Sequence, residues 1–247
     1  MKKILVSLIL ILTFFMPNIA NALTDEYSFL SIEEKYYKTI IFDSSVNLSL
    51  SNNQMYKTIE ITKEEYEKNI DNAILPLNNT VQTEYKKMTI KILTNGSKYK
   101  YEAVLEWKNM PKVRSYDSLA IGFYQSVKAT EFSYKTNYCL NNGNCYTQNN
   151  YYSKNMSTGV GVTFLLPSST SINTLKHTLT VYVDKNVSDA TIIEQKASAD
   201  YAHAVKNINS SLAQNYTINT SGIHFQNGVS SYYDDINYAS TTINCNW

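Results

Sequence analysis

Two runs of alternating apolar and polar residues flank an Asn-Gly pair between residues 88 and 107. Asn95 and Gly96 both tolerate the positive φ of a type I′ turn, so this pattern predicts a tight β-hairpin. One face of the hairpin carries Met88, Ile90, Ile92, Tyr99, Tyr101, Ala103, Leu105 and Trp107. The other face is mostly Thr, Lys and Glu, which indicates an antiparallel sheet with one face in a core and one mostly in water.

Similar short runs continue to the end of the chain, and turns rich in Asn, Ser and Gly separate them. Residues 190–205 combine period-two alternation with several alanines, and we favour a strand because no helical cap or helical spacing precedes them. The predicted fold class is therefore all-β and mainly antiparallel, either a β-sandwich or a jelly-roll-like fold. Thr62 and Glu65 form a capping-box pattern that predicts one short helix near residues 62–72.

The chain begins with Lys2 and Lys3, continues with an apolar run at residues 4–15, and then offers small residues at 20–22. This layout predicts a signal peptide over residues 1–22, cleaved after Ala22. We therefore expect a secreted or extracellular protein, with cell-wall association as a further expectation.

The remaining chain is long enough for one large β domain. We expect residues 23–56 to form a partly ordered N-terminal arm that includes a strand at 36–42. Residues 57–247 are predicted to form a single β-sandwich-like domain.

Charge excludes some classes of partner. The sequence has 22 basic and 21 acidic residues, and losing Lys2 and Lys3 leaves 20 basic residues and a net charge near −1. A nearly neutral chain lacks the positive surface that binds nucleic acid or anionic lipid. Arg114 is the only arginine, and arginine is the usual residue for phosphate recognition. We therefore expect no nucleic-acid partner.

The sequence carries no recognisable catalytic motif. None of the three histidines has a His or Cys at metal-ligand spacing, and no nucleophile elbow or phosphate-binding loop occurs. His203 lies close to Asp200, which would suit a general base, but a structural histidine is the favoured interpretation. Asp234 and Asp235 are interpreted as a plain turn rather than a calcium loop. We predict a protein that is not an enzyme and has no cofactor or metal.

Arg114 and the cysteines allow sharper predictions. Arg114 is expected to form a two-pronged pair with Asp117, and contact with a ligand carboxylate is the alternative. Cys139 and Cys145 flank a predicted three-residue loop, so a disulfide between them is favoured. Cys245 is then left unpaired; its pairing with one of the other two is the rival prediction.

Three functional hypotheses follow. The first is a secreted, non-catalytic module that binds a cell-wall glycan or a surface protein through Tyr- and Asn-rich loops. Its candidate contact residues are Arg114, Asn141, Asn142, Tyr151, Tyr152, Tyr232 and Tyr233. The second is a membrane-active pore-forming or bacteriocin-like protein, based on the weakly charged residues 155–166; only this hypothesis implies a membrane partner. The third is a hydrolase of unrecognised type.

Overall fold

The computed structural model describes residues 26–42, 56–68, 80–186, 192–234 and 237–246. The predicted signal peptide and the end of the predicted helix, residues 69–72, lie outside these ranges. The strands are β1 (Ser28–Phe42), β2 (Tyr56–Ile61), β3 (Thr80–Thr94), β4 (Tyr99–Trp107), β5 (Tyr116–Phe123), β6 (Val127–Leu140), β7 (Cys145–Gln148), β8 (Tyr152–Met156), β9 (Gly159–Leu165), β10 (Ile172–Lys185), β11 (Ile192–Ala202), β12 (Tyr216–Asn219), β13 (Gly222–Phe225) and β14 (Asn237–Asn246). The helices are α1 (Lys63–Lys68), α2 (Ser210–Ala213) and a 3-10 turn (Val229–Tyr232).

Most of these strands form two antiparallel sheets. The larger sheet has the order β2-β1-β3-β4-β10-β6-β7, and the second has the order β14-β11-β5-β9-β8. One apolar core joins them, with Ile90 and Leu105 from the larger sheet and Leu119 and Val162 from the second among its members. This arrangement confirms the predicted all-β, sandwich-like fold class.

The hairpin at residues 88–107 is confirmed as β3 and β4. Every residue predicted to face the core is buried, and Thr94 pairs with Tyr99 at the closed end. The turn itself differs from the prediction. Only Gly96 has a positive φ, of 91°, and the backbone N–H of Asn95 donates to the carbonyl of Lys98 at 3.3 Å. Gly96 is thus the first of two central residues, the position glycine takes in a type II′ turn rather than in type I′.

Residues 28–42, which belong to the predicted partly ordered N-terminal arm, form β1, and residues 43–55 of that arm lie outside the described residues. This long strand lies between β2 and β3, and the predicted strand at 36–42 is its second half. The charged residues of β1 do not indicate an inner strand when the sequence is read alone. In the fold they form ion pairs with β2, such as Lys35 Nζ to Glu60 Oε1 at 2.6 Å. Charged residues can therefore occupy an inner strand of a sheet whose outer face is solvated.

The predicted helix is present as α1, where the backbone N–H of Glu65 donates to Thr62 Oγ1 at 3.1 Å. The described residues also contain a second short helix, α2, which the sequence did not predict. Its N-cap is Asn209, whose side chain accepts from the N–H of Leu212 at 2.9 Å. Residues 192–202 form β11, which confirms the strand interpretation of that segment.

A small hairpin, β12–β13, packs against the outer face of the second sheet. A Cβ at Gly159 would lie 2.3 Å from Ile218 Cγ2, and one at Gly122 would lie 2.2 Å from the carbonyl oxygen of Asn219. The hairpin can approach the sheet this closely only because these positions lack side chains.

Candidate functional site

A groove lies at one edge of the sandwich, where β7 of the larger sheet leads into β8 of the second sheet. Its volume is about 590 Å³. The lining residues are Tyr116, Thr136, Gln148, Asn149, Asn150, Tyr151, Tyr152, Thr163, Phe164, Leu165, Leu166, Pro167 and Ser168. These residues are aromatic, aliphatic, hydroxyl and amide groups, with no charged side chain among them. A groove with this lining suits an uncharged ligand that offers both apolar faces and hydrogen-bonding groups.

Two predicted contact residues, Tyr151 and Tyr152, line this groove. Tyr151 is half-buried and meets Tyr134 edge to face, with ring centroids 5.3 Å apart. Tyr152 is 46% exposed and lies 6.3 Å from the ring of Tyr116. One tyrosine is therefore held by the core, and the other presents its ring to solvent.

Arg114 lies behind the groove wall. Its Nε donates to the carbonyl oxygen of Pro111 at 2.7 Å, and its Nη1 donates to that of Pro167 at 2.9 Å. The predicted two-pronged pair with Asp117 is wrong, because that carboxylate is bound in a buried network. Arg114 is half-buried and fixes Pro167, a residue of the groove wall.

The predicted disulfide between Cys139 and Cys145 is confirmed. The two residues pair across β6 and β7, with Cα atoms 4.0 Å apart. Gly143 has a φ of 85°, and its N–H donates to the carbonyl of Leu140 at 2.9 Å, as expected for the three-residue loop. The side chain of Cys245 lies outside the described residues, so its free thiol stays a prediction.

Asn141 and Asn142 are exposed at the tip of this hairpin. The backbone N–H of Asn141 donates to the carbonyl of Ser171 at 2.8 Å, and Asn142 Oδ1 accepts from the N–H of Asn144 at 3.0 Å. The tip and the groove lie at opposite ends of β7, roughly 10 Å apart along the strand. The structure places them on the same sheet edge without bringing them together.

Tyr146 lies on β7 between the tip and the groove, and the sequence did not single it out. It is exposed and stacks on Tyr138, with ring centroids 5.3 Å apart. The hairpin register that pairs Cys139 with Cys145 also pairs Tyr138 with Tyr146, so the predicted loop already contained this information.

Tyr232 and Tyr233 are not part of this edge. The side chain of Tyr233 is buried, stacks on Phe225 at 4.3 Å and donates to the carbonyl of Tyr116 at 3.2 Å. Its prediction as a contact residue is therefore wrong, because the ring is not accessible to a partner. Tyr232 is half-buried beside it and packs against a small apolar cluster.

A second set of polar residues is buried where the two sheets meet. Lys86 Nζ and Asp234 Oδ2 form an ion pair, and both side chains are completely buried. The second oxygen of Asp234 accepts from the N–H of His203 at 2.9 Å. Lys86 Nζ lies 5.0 Å from the ring centroid of Trp107 and 5.7 Å from that of Tyr201. Asp234 is therefore a buried partner of a lysine. Asp235, the other residue of the predicted turn, lies outside the described residues, so the turn stays a prediction.

His203 is buried and bonds to Asp117, not to the nearby Asp200. Its Nδ1 lies 3.1 Å from both carboxylate oxygens of Asp117. Asp117 also accepts from the N–H of Ala204 at 2.9 Å and from the hydroxyl of Tyr201. Asp200 instead accepts from the N–H of Ile223 at 2.8 Å, and burial raises its pKa to about 7.

Burial and the charges of this network shift the pKa of two further groups, His203 and Glu84. Burial alone lowers the pKa of His203, but the charges of Asp117, Glu84 and Asp234 outweigh it and raise that pKa above its usual value. Burial raises the pKa of the Glu84 carboxyl, which interacts with Lys86, His203 and Asp234 and accepts from the N–H of Lys112 at 3.0 Å. The outer ion pairs of the larger sheet, by contrast, lie in solvent, where each contributes little to stability.

The sequence contains a sign of this network that is not part of any recognisable motif. Glu84 and Lys86 precede Met88 at steps of two, so both lie on the face of β3 predicted to enter the core. A charged residue on a core-facing stripe needs a buried partner. The chain pattern could not identify those partners, because Asp117 and Asp234 come from distant segments.

No His, Cys, Asp and Glu cluster suited to a metal ion occurs within residues 26–42, 56–68, 80–186, 192–234 and 237–246. Within the same residues, no helix is both long and apolar enough to cross a membrane. Residues 155–166, the basis of the pore-forming hypothesis, are largely β9, which pairs with β5 and β8 and is mostly buried.

The fold and this site define a two-sheet antiparallel β-sandwich with a neutral edge groove. No protein-family model matches the chain, and no curated protein matches it. Three solved structures are distant likenesses. The collagen-binding domain of surface protein RspB from Erysipelothrix rhusiopathiae has 11% sequence identity and a TM-score of 0.27, and the match covers 65% of each chain.

The major pilin SpaD from Corynebacterium diphtheriae has 9% identity and a TM-score of 0.27, with 69% of this chain and 55% of the pilin covered. AvmM, which catalyses macrocyclization in alchivemycin A biosynthesis, has 13% identity and a TM-score of 0.25, with 58% and 79% covered. These similarities do not define a family or transfer a function.

Proposed function

We propose that this chain is a secreted, non-catalytic binding module that holds a neutral cell-wall glycan in the groove between β7 and β8. The observation that carries the proposal is the lining of the groove, which combines tyrosines, an exposed leucine and three side-chain amides without a charge. Apolar ring faces can cover the flat side of a sugar, and amides can bond to its hydroxyl groups. An uncharged segment of a surface protein is the competing ligand with the same chemistry.

Geometry favours binding over catalysis. The best acid–base pair in the described residues, His203 with Asp117, is buried, so it cannot reach an external substrate. The groove offers hydroxyl and amide groups but no titratable carboxyl or imidazole among its lining residues. This arrangement fits recognition without turnover.

Binding of the purified protein to a glycan array and to isolated cell walls tests this proposal. Tyr152→Ala removes the exposed ring of the groove and should reduce binding at least roughly tenfold, the effect of losing more than 1.4 kcal/mol. Tyr238→Ala is the matched control, since Tyr238 is 38% exposed on β14, at the opposite edge of the same sheet. Equal losses in both variants would contradict binding in the groove.

Two further readouts separate the alternatives. A protein ligand is indicated if binding to cell walls is lost after protease treatment of the walls and no glycan on the array is retained. Leakage of dye from liposomes at the concentrations that bind walls would support the pore-forming hypothesis instead. Neither result is expected from a neutral glycan-binding groove.

A further inference from the structure

Lys86 and Asp234 bring an ammonium group and a carboxylate into contact in the protein interior. Together these two groups contain the atoms of one amide bond and one water molecule. We propose that Lys86 Nζ and Asp234 Cγ condense within the folded protein to form an intramolecular side-chain amide. This cross-link would join β3 of the larger sheet to the segment that leads into β14 of the second sheet. The inference is independent of the binding function proposed for the groove.

The reacting groups are already in contact. Lys86 Nζ is hydrogen-bonded to Asp234 Oδ2, and the other oxygen of that carboxyl is held by the N–H of His203. The second contact is reinforced by the N–H of Asp234, which donates to the carbonyl of His203 at 2.9 Å. Groups fixed in this way react as one unit, without the entropy loss of a bimolecular encounter.

Burial favours the amide over the ion pair. The side chains of Lys86 and Asp234 have no exposed surface, and the aromatic rings of Trp107 and Tyr201 surround the ammonium group. Charges in such a site lose their hydration, whereas an amide is uncharged. Bulk water, the reagent for hydrolysis, is kept away from the product by the same burial.

The step balances without any co-reactant. The Nζ–Cγ bond forms, one Cγ–O bond of Asp234 breaks, and that oxygen leaves as water. The ammonium group loses two protons, and both finish on the departing oxygen. Neither carbon nor nitrogen changes oxidation state, so no oxidant or reductant is needed.

Glu84 is the group placed to move these protons. It is two residues before Lys86 on the same face of β3, and it interacts electrostatically with both Lys86 and Asp234. A neutral carboxyl group carries one donor and one acceptor oxygen, so it can take a proton from the amine while giving one to the leaving oxygen. The raised pKa of Glu84 supports this protonated form. We assign Glu84 as the general acid–base group of this condensation.

Mass spectrometry of the purified, denatured and reduced full chain tests the proposal, because reduction removes the mass difference of the disulfide. The expected mass is one water molecule below that calculated for the same chain, and proteolysis should release a branched peptide that contains residues 86 and 234. Lys86→Met and Asp234→Ala should each restore the full mass. Lys87→Met is the matched control: Lys87 pairs with Glu106 at 2.6 Å on the opposite face, so the deficit should persist.

Glu84→Gln keeps the shape of residue 84 but removes its acidic proton. We expect the rate at which newly synthesised chains acquire the cross-link to fall roughly a hundredfold or more, the usual minimum effect of losing general acid–base catalysis. An unchanged rate would overturn the role of Glu84. A wild-type chain of full mass, or a water deficit that maps to one unbranched peptide as in a succinimide, would overturn the cross-link itself.

Discussion

The ring of Trp107 meets the imidazole of His203 edge to face, with centroids 5.0 Å apart, where the core of the sandwich adjoins the buried polar network. Trp107 is 3% exposed and also lies 6.0 Å from the ring of Tyr201. Its indole therefore belongs to the apolar core and also packs against the charged groups of the network.

Trp107→Ala should lower the free energy of unfolding by about 3–5 kcal/mol, the usual cost of truncating a buried aromatic side chain. Denaturant titration of the variant measures this loss. Tyr238→Ala provides the control and should cost about 1 kcal/mol or less, since Tyr238 is partly exposed. A change near zero for Trp107→Ala would place the indole at the surface and contradict the core described here.

Arg114→Lys should destabilise the protein by roughly 1–2 kcal/mol, because an ammonium group cannot reproduce two divergent bonds to the carbonyls of Pro111 and Pro167. The converse change Lys112→Arg, two residues away on an exposed side chain, should leave stability unchanged. Thermal unfolding of both variants compares them. If Arg114→Lys is as stable as the wild type but no longer binds cell walls, Arg114 contacts the ligand directly and the structural role is contradicted.

Asp200 predicts a specific pH dependence. Burial raises its pKa from 3.8 to about 7 in the folded protein, so the folded state holds the proton more tightly than the unfolded chain. Stability from this group is therefore present below pH ~4 and is lost as pH rises towards ~7. The full loss corresponds to roughly 4 kcal/mol.

Asp200→Asn removes this titration and retains an acceptor for the N–H of Ile223. The variant should be more stable than the wild type at pH 8, and the difference should shrink to near zero at pH 4. Urea titrations at several pH values measure it. Asp184→Asn, at an exposed position, should show no such trend. A constant difference across pH would mean that Asp200 ionises normally in the folded state.

The disulfide of the β6–β7 hairpin should contribute about 2 kcal/mol, since it closes a short loop. Replacing Cys139 and Cys145 together by Ser should lower the denaturation midpoint accordingly and leave the fold intact. Non-reducing peptide mapping provides the second readout. A fragment that links Cys245 to either of these cysteines would contradict the local bridge.

The sequence predicted the parts of the fold that depend on local pattern. Alternation around Asn95 identified β3 and β4, and Gly143 identified the loop between β6 and β7. Residues 192–202 were correctly assigned to a strand because period-two alternation outweighed their alanine content. The sequence predicted only the second half of β1. The first half is rich in charged residues, which find partners only when β2 and β3 pair with the strand.

The candidate site was predictable only in part. Tyr151 and Tyr152 were identified from composition, but Leu165 and Pro167 join them through strand order, which no local pattern encodes. Tyr233 was wrongly predicted to contact a ligand. Its backbone pairs with Ala204, and its ring is buried. The contact of Lys86 with Asp234 spans 148 residues, so only the folded chain reveals it.

The most direct test of the proposed function is equilibrium binding of the wild type and two variants to isolated cell walls and to the neutral glycan that the array selects. Tyr152→Ala should weaken both interactions at least roughly tenfold, while Tyr238→Ala should bind as the wild type does. Circular dichroism of all three proteins checks that the fold is retained. Wild-type binding by Tyr152→Ala, or no binding by the wild type to either target, would contradict a glycan site in the groove between β7 and β8.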